Sequence, residues 1–504
     1  MTRKLLPLLA LLALASCTGQ SKKDVELTTP SALQLEFMDN EIGAFFHFTT
    51  NTYTGAEHGD GSASVSVFNP TKIDLDQWMQ TAKDMGAKYA ILTARHEDGF
   101  CLWPTKTTDY NISNSPWKDG KGDLVKDFVE ACRRHGLKPC LYFSPYFNAH
   151  AAFHPTDDKV TWGKKWDSLV RVRLQDSTFL KEFCQLDMDQ ITELMTNYGP
   201  IYQVWMDHWS DNMNCDSVTA IIRRLQPDCI MTGPDIRTPG NEKSTALYPS
   251  WNAVFTKDST NSSRAVELVP ATDGPNEYGL LETAKVSGHP YGKFWRNVET
   301  PTADIFNHGG WFWHGPQIPM SMEERIEAFY RSVGLGATIL INLPPDQDGL
   351  IPAETVADAK AWGDTIRKMF YGPYIAETTE TQQGNEVELS WETPCRIDHV
   401  MLMENLANGQ KVAKYTLEAF VDGQWQPVTP ANQFKYCPEG FNNNPGFETI
   451  GHKKIDRIVP VVTNRMRFRC TEAVAEPVEI AKFAVWNLGQ DAPATTTEAT
   501  AQAK

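Results

Sequence analysis

The chain is short of positive charge: 47 Lys and Arg stand against 63 Asp and Glu, a formal net charge of -16. Phosphate backbones need the opposite balance, which argues against nucleic acid as a partner. It also lacks a long apolar run, since Leu5–Leu14 is too short to span a bilayer. Its 10 Cys show no Cys-x-x-Cys and no His–Cys ligand spacing, which argues against structural zinc. Cys101, Cys132, Cys140, Cys184, Cys215, Cys229, Cys395, Cys437 and Cys470 read mostly as small buried apolar residues. There is no His-Glu-x-x-His and no Gly-x-Ser-x-Gly, so neither a zinc peptidase nor a serine hydrolase is indicated. No Gly-rich loop follows the first candidate strand, which disfavours an open nucleotide-binding sheet. No metal and no cofactor is implied.

What is present is a large globular chain of 504 residues, 41% hydrophobic, with 15 Trp. Indole rings stack on the apolar faces of sugars, although large cores also use them. Arg3 and Lys4, then Leu5–Leu14, then Ala15-Ser16-Cys17 have the order of an export signal. Leu14-Ala15-Ser16-Cys17 resembles a bacterial lipobox, making Cys17 the expected lipid attachment point. The plainer alternative is a secretory signal in which Cys17 is incidental. Either way an exported protein is expected, periplasmic or on the outer membrane, touching lipid only through that anchor.

Apolar runs alternate with amphipathic helices from Glu41 to about Tyr371. Strands are predicted at Gly43–Phe48, Lys88–Thr93, Pro139–Phe143, Ile201–Met206, Cys229–Thr232, Lys293–Trp295 and Ala337–Asn342. Between them, Asp74 is placed to cap a helix with Gln77 completing a capping box. Leu124, Val125, Phe128, Val129 and Cys132 form an inward stripe ending at Gly136. Repeated strand-then-helix units predict an α/β fold, a (β/α) barrel. After about Gly372, short alternating segments separated by Gly, Pro and Asn predict a β-sandwich. The expected organisation is a signal over 1–17, a tether over 18–35, a barrel over 36–371, a sandwich over 372–488 and a disordered tail over 489–504.

Tyr198 to Asp207 is the stretch around which the rest is organised. Gly199 and Pro200 end a helix, an apolar run follows, and Asp207 stops it. In a parallel barrel that end is where chemistry is done, whereas elsewhere such an Asp caps a helix. Other predicted strand ends carry His47, Glu57, His58, His96, Glu97, Asp98, Trp103, Glu242, Trp311, Trp313 and His314. Carboxylates among aromatics and imidazoles suit glycoside cleavage, which needs two carboxyl groups, about 5–5.5 Å apart in a retaining enzyme. Asp207 is the first candidate. Glu242, one helix and one strand later, is the second.

Several motifs carry a resemblance: Phe46-His47-Phe48 with Asn51-Thr52-Tyr53-Thr54, Asp98 to Lys106, Asn114 to Trp117, Val204-Trp205-Met206-Asp207, Gly233 to Arg237, Gly240-Asn241-Glu242 and Asn342-Leu343-Pro344-Pro345. With them the chain resembles glycoside hydrolase family 29, the α-L-fucosidases, nearest the subgroup acting on branched, linkage-restricted substrates. The resemblance implies a retaining exo-acting enzyme on fucosylated oligosaccharides or glycoconjugates, with Asp207 as nucleophile and Glu242 as acid/base. It implies that His47, Glu57, His96, Trp103 and Trp311 or Trp313 contact the sugar. Glu267, Glu282 and Glu299 stand as reserve acid/base candidates. The chain departs from the family at His58, Glu97, Tyr146 and His208, all expected at or near the pocket. Those departures leave two alternatives open: a related sugar such as an α-L-galactoside, or a sugar-binding surface lipoprotein without activity.

Overall fold

A computed structural model describes residues 26–145, 147–152, 175–207, 215–238, 242–254, 288–303, 305–306, 310–316, 318–378 and 381–489. The export signal with Cys17, Tyr146, His208, Asn241, Glu267, Glu282 and the tail beyond Gly489 lie outside the described residues.

The first region is a nearly closed parallel barrel. Its strands are β1 (Ile42–Phe46), β2 (Tyr89–Arg95), β3 (Lys138–Phe143), β4 (Gln203–Met206), β5 (Ile230–Met231), β6 (Ile236–Arg237), β9 (Asn297–Thr302) and β10 (Thr338–Asn342). The order β5-β4-β3-β2-β1-β10-β9-β6 runs around the cylinder, and a parallel bridge from Thr232 to Ile236 joins its ends. Strand residues alternate between two apolar layers, as strands covered on both faces must. Phe45, Tyr89, Ile91, Cys140, Tyr142, Trp205 and Leu340 fill the interior. Ala44, Phe46, Leu92, Leu141 and Val204 pack outward against helices.

The helices end where the sequence places stops. Asp74 caps Leu75–Met85 by accepting from the Gln77 N–H, but the expected box does not close. The Gln77 amide instead pairs with both backbone groups of Ile351. Asp123 caps Leu124–His135, whose predicted stripe is buried and which ends at Gly136 with φ 72°. Gly199, with φ 69°, follows the long helix Ser177–Asn197, and β4 then leads straight into Asp207. All nine Cys of the described residues are free, and most are buried.

One predicted strand is corrected. Lys293–Trp295 belongs to a two-stranded antiparallel pair, β7 (Ala253–Val254) with β8 (Phe294–Trp295), outside the barrel. The barrel strand is β9, immediately after it, and β10 runs parallel to it. Its alternate residues Asn297, Glu299 and Pro301 are polar or proline, so it does not look like a buried strand. β5 leads to β6 through a turn at Gly233, without an intervening helix.

The second region is antiparallel: β11 (Ala376–Glu377), β12 (Gln382–Gln383), β13 (Glu386–Glu404), β14 (Val412–Val421), β15 (Gln424–Pro427), β16 (Lys454–Ala473) and β17 (Glu479–Trp486). They form one continuous ladder, not two separate sheets. The pairing of the two long strands β13 and β16 shifts register between Ser390 and Cys395 and between Ile397 and His399, and irregularities of this kind turn the corners of sandwiches. Residues from both halves of β13, Val387 and Leu389 with Val400 and Leu402, share one apolar cluster.

The seam between the regions is polar and buried. Glu41 pairs with Lys453 and accepts from the Tyr371 hydroxyl. The Tyr330 hydroxyl meets His399 Nε2 at 2.7 Å. Glu327 accepts the backbone N–H groups of Lys435 and Tyr436 at 2.9 and 2.6 Å.

Candidate active site

The C-terminal ends of the barrel strands gather most of the predicted site residues. Asp207 follows β4 directly, half-buried, and its backbone N–H still bonds to Phe143 of β3 at 3.1 Å. Its carboxylate accepts from the Tyr142 hydroxyl at 2.6 Å. Burial first, then the charges of Asp207 and Glu97, hold Tyr142 well above the usual phenol range, so it stays protonated and donates. The Tyr142 ring stacks on Trp205 at 5.5 Å and on His96 at 5.2 Å. The nucleophile candidate is thus oriented by a hydroxyl that is itself clamped between two rings.

His96 is 5% exposed, and burial pushes its imidazole down to about 4 although Glu97 and Asp207 pull the other way. It is therefore neutral near pH 7. Its Nδ1 is buried with no hydrogen-bond partner among the described residues. Native proteins rarely leave such an atom orphaned, and it suits a ligand hydroxyl. His47 lies beside it, ring centroids 5.6 Å apart. Its Nδ1 meets Asn342 Oδ1 at 2.9 Å, while Asn342 Nδ2 donates to the carbonyls of Gly310 and Trp311. That network makes Asn342 Oδ1 the acceptor, so His47 Nδ1 carries a proton and donates it.

Two loops complete the mouth. Glu57 accepts from the Trp311 backbone N–H through Oε1 and from His314 Nε2 at 2.6 Å through Oε2. Gly310 makes this seat: a Cβ there would come within 2.7 Å of Glu57 Oε2. A cavity of about 500 Å³ opens beside Glu57, lined by Thr52, Gly55, Trp313, His314 and Gln347. The Trp311 ring lies 4.9 Å from His47, and its indole N–H donates to Glu242 Oε2 at 3.3 Å. Glu242 is exposed and has φ 48°, in the left-handed region, which costs a residue with a side chain roughly 1–2 kcal/mol. Strain of this kind concentrates at functional sites. The next residue, Lys243, bridges Thr302 at the end of β9 and pins the turn.

His58 and Glu97, two positions singled out in the sequence, pair with each other: His58 Nδ1 lies 2.7 Å from Glu97 Oε2. The Glu97 side chain is 2% exposed and the His58 ring 34%. Asp98 serves the loops instead. It accepts from Thr50 at 2.6 Å, and burial raises its carboxyl to about 6.

Two expectations fall elsewhere. Trp103 is not brought to this cluster; it is 1% exposed in the layer between strands and helices, and its indole N–H donates to Glu193 at 2.8 Å. Glu299, held in reserve as an acid/base, is fully buried inside the barrel and accepts from Tyr89 and Trp205 at 2.6 and 2.7 Å. It offers no open face to a leaving group. Tyr142 and Asn342 hold the candidate nucleophile Asp207 and the His47 imidazole, yet sequence reasoning gave neither a role. Tyr142 sits inside an apolar run, and only its pairing with Trp205 across β3 and β4 brings it to Asp207.

A parallel barrel with two acids, imidazoles and indoles at its C-terminal mouth is the architecture of a glycoside hydrolase. The chain belongs to the α-L-fucosidase family, whose sequence profile matches residues 34–368. Among its relatives, Alpha-L-fucosidase 1 of Arabidopsis thaliana is 31% identical over 482 residues, covering 87% of this chain and 83% of that one. A glycoside hydrolase 29 family member from an unknown rumen bacterium is 28% identical with a TM-score of 0.74, covering 95% of this chain and 80% of that chain. A Ruminococcus gnavus fucosidase of family 29, solved in complex with fucose, shares the fold at 20% identity and TM-score 0.71, covering 93% and 97% of the two chains.

Proposed function

We propose that the protein is a retaining, exo-acting α-L-fucosidase that removes terminal fucosyl residues from oligosaccharides or glycoconjugates. The supporting observation is the continuous set of contacts from Asp207 through Tyr142, His47 and Trp311 to Glu242. In the first step an Asp207 carboxylate oxygen attacks the anomeric carbon while protonated Glu242 gives its proton to the departing glycosidic oxygen. The C–O bond to the aglycone breaks and a fucosyl–Asp207 ester forms. In the second step Glu242, now a carboxylate, takes a proton from water, which attacks the same carbon and returns Asp207. Tyr142 orients the nucleophile, neutral His96 and His47 meet hydroxyls, and Glu57 fixes the Trp311 loop. The sequence motifs favour branched substrates.

The deciding experiment is hydrolysis of an aryl α-L-fucoside followed by proton NMR. Release of the α-anomer first, with loss of turnover in Asp207→Ala, is expected; first release of the β-anomer overturns the two-step scheme. Comparing a branched with an unbranched fucosylated oligosaccharide tests the substrate class. Export and lipidation at Cys17 are part of the same proposal. Fatty-acid labelling that persists in Cys17→Ala rejects the anchor.

A further inference from the structure

Glu299 is the one carboxyl described inside the barrel's aromatic filling, and the two-step chemistry does not use it. It is fully buried on β9 and faces donors from two other strands. Oε1 accepts from the Tyr89 hydroxyl of β2 at 2.6 Å, and Oε2 accepts from the Trp205 indole of β4 at 2.7 Å. Gln203 of β4 also faces it. The Gln203 amide nitrogen donates to Thr232 at 3.2 Å, and its oxygen, Oε1, is buried without a donor among the described residues. The titratable groups that face Glu299 are Tyr89 and, from β3, Cys140, and burial holds both protonated. Burial likewise raises Glu299 to about 7, with the Tyr89, Trp205 and Gln203 hydrogen bonds pulling back.

The indole that Glu299 holds is the platform of the site. Trp205 lies within 14° of parallel to Tyr142, and Phe45 contacts both rings at 5.6 and 5.8 Å. Tyr142 in turn reaches Asp207. Fixing the indole N–H fixes the plane of the ring, the plane fixes how Tyr142 lies, and Tyr142 sets the direction of the Asp207 carboxylate.

We propose that Glu299 is a positioning residue for the nucleophile, a buried acid shared by Tyr89 and Trp205 that aims the Tyr142 hydroxyl at Asp207 through the Trp205 ring. This rests on Asp207 as nucleophile. Its ionisation adds charge beneath the platform, so turnover falls as Glu299 loses its proton. Glutamine keeps the essentials: its oxygen accepts from Trp205, and the Tyr89 hydroxyl turns to Thr338, which it also faces.

The test is kcat and KM against pH for an aryl α-L-fucoside, using the full chain and the variants Glu299→Leu, Glu299→Gln and Trp205→Phe. Glu299→Leu is expected to lose about thirtyfold in kcat at nearly unchanged KM, with Glu299→Gln restoring most of it, the scale of a small misplacement of reacting groups. Glu299→Gln also loses an ionisation near neutrality that the unmodified enzyme shows. Trp205→Phe, which keeps a ring but no N–H, loses about tenfold in kcat and supplies the answer if the leucine variant does not fold. An unchanged pH profile in Glu299→Gln, wild-type kcat in Trp205→Phe, or losses confined to KM overturn the proposal. Absence of turnover by the unmodified enzyme instead rejects the fucosidase reading itself.

Discussion

Glu41 and Glu299 are both buried glutamates, and their surroundings drive them in opposite directions. At the seam, burial alone would raise Glu41, but Lys453 and His452 outweigh it and hold the carboxyl down to about 2. In the barrel interior Glu299 has only uncharged hydrogen-bonding partners, and burial carries it up to about 7. The linkage signs follow. Glu41 contributes stability that is present above the ordinary carboxyl value of 4.5 and is lost as pH falls towards 2. Glu299 contributes stability that is complete below 4.5 and is lost as pH rises through about 7. A buried acid with a cation beside it holds regions together; a buried acid with neutral donors is tuned for a position near the chemistry.

The contrast between seam and site can be broken most sharply at Asp207. Asp207→Ala is expected to lower kcat by about 10⁴-fold or more while thermal unfolding stays put; a matching fall in Tm would make the residue structural. Next comes Glu242→Ala, which should cost about 10²–10⁴-fold on natural oligosaccharides but much less on an aryl fucoside with a good leaving group. Equal losses on both substrates would remove its acid/base role. Glu41→Ala does the reverse. Leaving the buried Lys453 ammonium without its carboxylate should cost roughly 3–5 kcal/mol in denaturant unfolding at pH 7, with kcat per folded molecule unchanged. Its unfolding free energy should also stop falling between pH 4.5 and about 2, the window in which the unmodified protein loses the Glu41 contribution. The smallest effect is expected from His58→Ala, which removes the imidazole from Glu97 and should raise KM about tenfold with little change in kcat. An unchanged KM would detach that pair from the sugar.

The sequence announced the barrel through its punctuation. Asp123 and Gly136 bracket one helix and Gly199 stops another, because caps and left-handed turns are local requirements that show in the residues themselves. Asp207 was legible for the same reason, as a lone acid ending an apolar run. β9 was not, because Glu299 and its neighbours are polar for reasons that come from other strands. Trp103 misled in the opposite sense: its motif is distinctive, but its indole is bound to Glu193 on a helix. Tyr142 reads as ordinary core in the sequence, and the same holds for the Asn342 amide that accepts from His47 Nδ1. Chemistry carried by single residues at element ends is visible in one dimension; chemistry that depends on which strands are neighbours is not.

One feature of the cylinder bears on how its two acids work together. β4 and β5 share two paired residues, as do β6 and β9, whereas β5 joins β6 through the Thr232–Ile236 bridge and the turn bonds from Gly233 N–H to Ile236 and from Asp235 N–H to Met231. Asp207 stands on β4, on one side of that fastening, and Glu242 follows β6 on the other. The wall is a hoop closed by a clasp, and the clasp sits between the proposed attacking and proton-donating groups.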